Sequence, residues 1–413
     1  MPDPVTNTQG GELSMRRLGW APHRLLFFIG STNLLLGMAW WAAWLISQRV
    51  PAFSVAATQP QVVAGWVHAF VMQYQVLPSF MAGFLLTVFP RWMAQPDVPL
   101  WRYAPVGLGI FGGQLATLAG AMGWPSGLLV GLFMTLAGWA ALLATLGPLV
   151  FRDRGKNWHA RSCFAALVLG MVGLMAHAAY QFGQSPLWEF ASIKIGTFGL
   201  LLPVYMTVAH RMFPFFASNV VRGYVAWRPN SLLLTFWVLA LMHLALELVH
   251  GYRWLWAPDL GLLALAATLC WRWWPRGPMP GLLRALFLGL AWLPITFALY
   301  SVQSVTYLLT GTFELGRAPA HALFIGFFGS ILVAMVTRVT RGHSGRPLEM
   351  PAIAWFAFVA IQVVAVTRVA AEFSSDPLPW HMLAALGWIV ALGPWAFSLA
   401  RTFLAARIDG KPG

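Results

Sequence analysis

The chain alternates between long apolar runs and short polar breaks along almost its whole length. A helix needs about 20 mostly apolar residues to cross the hydrocarbon core of a bilayer. Twelve runs reach that length, near residues 24–46, 61–90, 103–121, 127–151, 160–182, 187–210, 231–250, 255–274, 281–308, 318–340, 351–371 and 379–405. The pattern therefore predicts an all-α polytopic membrane protein, built as a bundle of twelve transmembrane helices.

Short polar segments separate the predicted helices and carry turn-forming or charged residues. Examples are "GWPSG" at 123–127, "RDRGKN" at 152–157 and "WRPNS" at 227–231. None of these segments is long enough to form a separate soluble domain. We therefore divide the chain into an amino-terminal segment, a membrane domain and a tail. Their limits are residues 1–23, 24–405 and 406–413.

The charges indicate how the bundle is oriented in the membrane. Lysine and arginine accumulate in the cytoplasmic loops of membrane proteins. If the amino terminus is cytoplasmic, the outer loops carry only Arg49, Arg253, Arg317 and Arg368, and Lys194 lies within a helix. The rest of the 26 basic residues then lie on the cytoplasmic side. An error of one helix would destroy this asymmetry, so we predict that both termini are cytoplasmic.

The composition supports a lipid environment and excludes several other classes of protein. Hydrophobic residues make up 59% of the chain and charged residues 9%, whereas soluble domains carry about 25% charged residues. The net charge of +14 does not indicate a nucleic-acid partner, because the arginines lie in short loops and no basic nucleic-acid-binding motif is visible. No P-loop, GxGxxG or HExxH motif occurs.

Cysteine usage limits the kinds of metal site that the chain can form. The two cysteines, Cys163 and Cys270, lie far apart in apolar runs, and there is no CxxC or CxxCH motif. This pattern argues against a thiolate zinc site and against covalently attached haem. Any haem would therefore be held non-covalently.

Six of the ten histidines fall toward the outer ends of five predicted helices. A buried imidazole needs partners for its nitrogens, so intramembrane histidines are rare and usually face the bundle interior. One alone is most often a packing hydrogen bond, but six at similar depth favour shared metal ligands. Neutral imidazole binds haem iron, copper and zinc. The six are His68, His177, His243, His250, His321 and His381.

Two local patterns among these residues each admit two interpretations. In "HLALELVH" (243–250), both histidines and Glu247 share one helix face. They form a metal or proton-relay face, or Glu247 pairs with Lys194 of the sixth helix, because a buried carboxylate needs a cation. Met72 lies four residues after His68. Its thioether suits copper(I), although methionine is more often core filler.

The cytoplasmic ends of two helices combine histidine with arginine. "HRMFPFF" (210–216) ends the predicted sixth helix, and "TRVTRGHSGRP" (337–347) ends the tenth. Arginine there complements helix dipoles and lipid phosphates, and it also binds carboxylates such as haem propionates. His343 lies about 22 residues from His321, roughly 33 Å along a helix, so these two histidines belong to different sites. The candidate residues of this inner group are His210, Arg211, Arg338, Arg341 and His343.

Three sequence blocks are distinctive: "HAFVM…AGFLLTVFPRW" (68–92), "HRMFPFFASN" (210–219) and "HALFIGFFGSILVAMVTRVTRGHSGRPL" (321–348). Together they resemble the NnrS family, bacterial inner-membrane proteins associated with haem, copper and the response to nitric oxide. The resemblance implies functional positions at His68, His321, His210 and His343, without assigning them to one metal or the other. It departs from the family pattern HAHEM at 68–72, where a histidine and a glutamate are replaced.

The resemblance leads to the hypothesis of a bacterial inner-membrane protein that binds b-type haem and copper and that binds or helps to detoxify nitric oxide. Enzymatic turnover is left open, because no electron-donor site is visible. One alternative is a twelve-helix transporter, which helices interrupted at Pro78, Pro203 and Pro294 and the embedded Lys194 and Glu247 would suit. The lack of a visible internal repeat argues against it. A second alternative is a haem-binding sensor or assembly factor without turnover.

Overall fold

A computed structural model describes residues 13–50 and 62–410 of the chain, and all regular secondary structure in these ranges is helical. Twelve of the described helices are long and apolar enough to cross a membrane, which confirms the predicted all-α fold. In chain order they are α1 (Pro22–Ser47), α2 (Ala64–Trp92), α3 (Leu100–Ala121), α4 (Gly127–Arg152), α5 (Trp158–Gln181), α6 (Leu187–Val220), α7 (Asn230–Leu248), α8 (Tyr252–Trp273), α9 (Gly281–Thr310), α10 (Ala318–His343), α11 (Ala352–Phe373) and α12 (Leu378–Leu404).

The observed bounds follow the predicted runs within a few residues, with one exception. The predicted end of the sixth helix at residue 210 is wrong, because α6 continues to Val220. The charge of Arg211 does not end the helix, since its guanidinium lies 4.5 Å from the centre of the Trp92 ring. This cation–π contact stabilises the charge close to the end of the bundle.

Parts of three predicted segments lie outside the described residues. These are residues 1–12 of the amino-terminal segment, residue 61 at the start of the second predicted helix, and residues 411–413 of the tail. Within the described part, a 3-10 helix at Met15–Trp20 precedes α1. Arg24 of α1 donates hydrogen bonds of 2.9 Å to the carbonyl oxygens of Phe403 and Ala405. The first and last helices therefore lie side by side.

We name the end of the bundle where α1 begins and α12 ends the basic end. The even-numbered helices end there and the odd-numbered helices begin there, so this end carries most of the arginines. The opposite end carries Arg49, Arg253, Arg317 and Arg368. Placement of the basic end in the cytoplasm stays a prediction from the charge distribution.

Helices α2, α6 and α10 form the centre of the bundle. In the most apolar stretch of each, 89%, 78% and 83% of the residues are buried, against at most 61% in any other of the twelve. Each contains a π-helical segment, at Val71–Val76, Ile195–Leu201 and Ala322–Gly329 respectively. π-helical turns are rare in proteins, and those that occur are often found at functional sites. These three π-helical segments lie in every fourth helix, α2, α6 and α10. The sequence analysis did not predict this regularity.

Two of the prolines expected to interrupt helices do not do so. Helix α2 runs through Pro78 and α6 runs through Pro203. Pro78 has no N–H to donate to the carbonyl of Tyr74, four residues earlier. The indole Nε1 of Trp139 on α4 donates to that oxygen instead, at 2.9 Å. The helix therefore continues without a buried carbonyl left unsatisfied.

Helix α9 is interrupted close to its proline. Two helical segments, Gly281–Leu290 and Trp292–Thr310, meet at Ala291. Pro294 cannot donate to the carbonyl of Leu290, and the Cys270 thiol of α8 lies 3.5 Å from that oxygen as a donor. The prediction of a discontinuity at this proline agrees with the structure.

Helices α3 and α4 approach each other closely through facing glycines. A Cβ atom on Gly120 would lie 2.4 Å from the backbone nitrogen of Leu128, and one on Gly109 would lie 2.5 Å from the Cα atom of Gly138. Small residues are what allow two membrane helices to bring their backbones together. This pair therefore forms a rigid wall beside the central helices.

Candidate functional site

The histidines of the opposite end divide into three groups rather than forming one cluster. His68 of α2 and His321 of α10 lie close enough to interact electrostatically, and Arg368 of α11 acts on both. His177 contacts α6, and His243 contacts α8. The sequence placed these residues at a similar depth, but it did not show which of them are neighbours.

The first group is centred on His68 and His321. The His68 ring stacks on Trp41, with centroids 4.5 Å apart and planes 14° from parallel, and neither of its nitrogens hydrogen-bonds to a described residue. Nδ1 of His321 lies 3.0 Å from the carbonyl oxygen of Arg317. A carbonyl can only accept, so Nδ1 carries the proton and Nε2 has the lone pair. This arrangement orients an imidazole for metal binding through Nε2.

A charged network borders this pair. Arg368 donates to Glu372 at 2.5 Å, one turn later on α11. The same carboxylate oxygen lies 3.8 Å from Nε2 of His381 on α12, which is beyond hydrogen-bonding distance. His381 therefore adjoins the first group but is oriented toward the carboxylate.

His177 forms a separate buried pair. Its Nδ1 lies 2.6 Å from Oε2 of Glu189 on α6, and its Nε2 lies 3.3 Å from the amide nitrogen of Gln181. The ring also stacks on Phe70, with centroids 4.0 Å apart. Both nitrogens of His177 are occupied, so in this arrangement it offers no lone pair to a metal.

His243 belongs to a chain of four ionisable side chains on α6, α7 and α8. Its Nδ1 lies 2.6 Å from Oδ1 of Asp259, and its Nε2 lies 3.5 Å from Oε1 of Glu247. Lys194 donates to the same Glu247 oxygen at 2.8 Å. The ion pair between Lys194 and Glu247, one of the two alternatives considered from the sequence, is thus present, and a metal or proton-relay role for this helix face stays a prediction. His250, the last histidine of that motif, bonds instead to the exposed hydroxyl of Tyr252 at 2.6 Å.

At the basic end, His210 pairs with a histidine that the sequence analysis did not single out. Nε2 of His210 lies 3.1 Å from the carbonyl oxygen of Pro229 and must donate to it. Nδ1 then accepts from Nε2 of His159, at 2.9 Å. Both nitrogens of His210 are hydrogen-bonded, so this buried pair links α5, α6 and the loop before α7.

His343 also has an unforeseen partner. Its ring lies 4.4 Å from that of His23 at the start of α1, centroid to centroid and tilted by 42°. Nδ1 of His23 is buried without a hydrogen bond. Both residues lie at the basic end, and the sequence alone did not indicate that two helices so distant in the chain meet there.

The remaining candidates have separate surroundings. The guanidinium of Arg338 lies 3.7 Å from the centre of the Phe216 ring. Nε of Arg341 donates to the carbonyl of Pro347 at 2.6 Å. Met72 lies inside the π-helical segment of α2 and packs against the apolar core.

Metal-binding geometry is limited to pairs of histidines. Among the described residues, no group of three or more His, Cys, Asp or Glu side chains is arranged to hold a metal ion. A haem iron needs only one or two protein ligands, because the porphyrin supplies the others. Pairs of histidines among the described residues would therefore suffice as ligands for haem, and the binding of copper stays a prediction.

Sequence reasoning missed three members of the first group: Arg317, Arg368 and Glu372. A signal for each was present, since Arg317 precedes His321 by four residues and Arg368 precedes Glu372 by four. That spacing places two side chains on one helix face. Arginines on the less basic side of a membrane protein are also uncommon.

An apolar cavity of about 60 Å³ lies between the three central helices. Its walls include Phe84 of α2, Val204 and Tyr205 of α6, and Met335 and Val336 of α10. Apolar cavities of this kind stay dry and accept small nonpolar molecules.

The comparisons with known proteins agree with this architecture. A comparison with curated protein sequences finds no significant match. The family model described as NnrS protein matches residues 18–407, which include all twelve membrane helices. The chain therefore belongs to the NnrS family.

Proposed function

We propose that this NnrS protein binds haem b non-covalently between α2 and α10, and that the haem binds nitric oxide as part of protection against nitrosative stress. One observation carries the proposal. His68 and His321 lie together on central helices, and both have a ring nitrogen without a hydrogen bond to any described residue. Both side chains are partly exposed, so these nitrogens are open to a ligand such as a haem iron.

The surrounding residues support haem rather than a bare metal ion. Arg317 and Arg368 lie close to both imidazoles, and arginine is the usual partner of carboxylates such as the two propionates of haem. The Arg317 carbonyl fixes the tautomer of His321, and Trp41 supports the plane of the His68 ring. Each of these contacts reduces the freedom that an axial ligand would lose on binding.

A bound haem would supply an iron that could coordinate nitric oxide, which requires one of the two imidazoles to give up its place. Nitric oxide is small and uncharged and dissolves in lipid, so it could enter the protein from the membrane. The apolar cavity between α2, α6 and α10 lies on the same central helices as the two imidazoles. Its walls at Phe84 and Met335 lie 16 and 14 residues along the helices from His68 and His321, roughly 20–25 Å, so it offers such a molecule an apolar space within the bundle but not beside the imidazoles.

The chain of Lys194, Glu247, His243 and Asp259 has a separate part in this proposal. Buried carboxylates and imidazoles joined in this way are typical of proton paths within membranes. If nitric oxide is turned over, protons must reach the reaction, and this chain is a path by which they would enter. If the protein only binds nitric oxide or haem, as a sensor or assembly factor does, the chain is structural.

The experiment is to purify the full-length protein and measure its absorption spectrum and haem content. We expect a Soret band that shifts when nitric oxide is added to the reduced protein. His68→Ala and His321→Ala should each lower the haem content, because each removes one of the two imidazoles that would hold the iron. His250→Ala is the matched control, since it removes an exposed imidazole from the same end of the bundle.

The contradicting results are equally specific. A protein that purifies without a Soret band and cannot be reconstituted with haem overturns the proposal and favours the transporter class. Full haem content in both variants, with folding verified by circular dichroism, shows that the ligands lie elsewhere. Consumption of nitric oxide by the reconstituted protein with a reductant would separate an enzyme from a binding protein.

A further inference from the structure

A second cavity lies at the basic end, away from the first histidine group. Its volume is about 570 Å³, and it is bordered by α10, α11 and α12 and the loop after α10 and partly open to the outside. It is lined by three arginines, four hydroxyl side chains and a set of apolar groups. The polar lining residues are Arg341, Arg346, Arg401, Thr337, Thr340, Ser398 and Thr402.

The charges of this cavity are unbalanced. None of the described residues that line it is acidic. Arg341 and Arg346 each make one hydrogen bond to the protein, to the carbonyl of Pro347 and the hydroxyl of Thr402. A guanidinium has five N–H donors, so most donors remain for a ligand. Burial and the neighbouring Arg341 lower the pKa of Arg346.

A buried hydroxyl gives an independent indication of a ligand. Thr340 is 3% exposed and lines the cavity, and its Oγ1 has no hydrogen-bond partner. A buried hydroxyl without a partner is destabilising, because it has given up its hydrogen bonds to water. Its neighbour Thr337, one turn earlier, accepts a hydrogen bond of 2.9 Å from the indole of Trp395. The Thr337 hydroxyl is thus used within the protein, whereas the Thr340 hydroxyl is available to a ligand.

The remaining walls indicate an amphiphile. Ile353 and Ala354 of α11 and Trp395 and Phe397 of α12 form an apolar surface that continues from the arginines into the membrane-spanning part of the helices. Basic pockets between helices at the cytoplasmic side of membrane proteins bind anionic lipid head groups. Such a ligand would place its anion at the arginines and its acyl chain along this surface.

We propose that this cavity binds the phosphate group of an anionic phospholipid, with Arg346, Arg401 and Thr340 as its ligands. The bound lipid would brace α10, the helix that carries His321, against α11 and α12. Free inorganic phosphate shares the oxyanion chemistry of the head group. The test must therefore distinguish the lipid from the ion.

The experiment is native mass spectrometry and thermal unfolding of the purified full-length protein with three additives in turn. These are phosphatidylglycerol, the zwitterionic phosphatidylcholine, and inorganic phosphate. We expect phosphatidylglycerol to bind and to raise the unfolding temperature, and the other two to have little effect. Arg346→Gln should weaken phosphatidylglycerol binding about tenfold, since it removes a charge-assisted contact.

Two further variants make the result independent of folding defects. Thr340→Val should weaken lipid binding about fivefold, while leaving the lipid-free protein as stable as the native one, because its hydroxyl has no protein partner. Arg284→Gln is the control, since it removes an exposed arginine from the same end that bonds only to a backbone carbonyl. It should not change binding.

Three outcomes would overturn the proposal. The first is equal affinity for phosphatidylglycerol and phosphatidylcholine. The second is unchanged lipid binding in both Arg346→Gln and Thr340→Val. The third is that inorganic phosphate alone raises the unfolding temperature as much as phosphatidylglycerol does. That result would show that the cavity binds an ion and not a lipid.

Discussion

The hydrogen bond from Trp139 to the carbonyl of Tyr74 exists because of a proline, and this can be tested by mutation. Pro78 removes the N–H that would serve this carbonyl within α2, and the indole serves it from α4 at 2.9 Å. Trp139 is fully buried. In Trp139→Phe the Tyr74 carbonyl would lose this partner from α4, and it lies in α2, the helix with the largest buried share among those described.

The size of the effect follows from known interhelical hydrogen bonds. In membrane proteins they contribute about 0.6 kcal/mol on average and about 1.7 kcal/mol at most. The upper part of that range applies here, because an unsatisfied buried carbonyl costs about 1–3 kcal/mol. Loss of indole packing adds a further cost, but this second cost does not depend on residue 78.

A double-mutant cycle isolates the hydrogen bond from the packing. In Pro78→Ala the new N–H can donate to Tyr74, so Trp139→Phe should cost about 1–2 kcal/mol less free energy of unfolding in that background. The free energies would be measured by circular dichroism during reversible unfolding in mixed micelles. Trp395→Phe is the control, because its indole bonds to a threonine hydroxyl on α10 and not to the carbonyl near Pro78. Its cost in free energy of unfolding should be the same with proline and with alanine at position 78. An equal cost of Trp139→Phe with proline and with alanine at position 78 would refute the reasoning.

Three further predictions follow from the packing, the buried charges and the topology. Gly120→Ala should destabilise the protein by about 1–3 kcal/mol, because its Cβ would collide with the backbone of α4. Gly65→Ala should be neutral or stabilising, because a Cβ there would meet no atom within 4 Å. Chemical unfolding of both variants tests this difference. Asp259→Ala should lower the free energy of unfolding by about 3–5 kcal/mol, because it leaves buried His243 without its anion. Asp376→Ala breaks only a half-exposed pair with Arg49 and should lower it by under about 1 kcal/mol. Similar losses in the two variants would contradict the buried-network argument. A fluorescent reporter that matures only in the cytoplasm should be bright when fused after residue 410 and dark when inserted at Gly311, and the reverse pattern would invert the predicted orientation.

The number of helices could be predicted because each crossing needs a long apolar run and each turn needs polar residues. The end of α6 could not be predicted in the same way. Arg211 resembles a terminating charge until Trp92 is placed beside it, and that partner comes from another helix. The π-helical segments were also missed, because their residues are ordinary apolar residues and only the hydrogen-bond pattern distinguishes them.

The candidate histidines were identifiable from the sequence, but their pairings were not. Imidazole in a membrane is rare enough to mark a residue as important. The partner of each imidazole depends on which helices adjoin, as His343 and His23 show, since they come from α10 and α1. The division of the opposite-end histidines into three groups likewise became visible only with Glu189 and Asp259 in place.

The most direct test of the central proposal is the axial ligation of the haem in the oxidised protein, measured by electron paramagnetic resonance. With His68 and His321 both coordinating the iron, the native protein should give a low-spin ferric signal. His68→Ala and His321→Ala should each convert it to a high-spin signal, while His250→Ala should leave it low-spin. A low-spin signal that persists in both single variants would contradict the assignment of these two histidines.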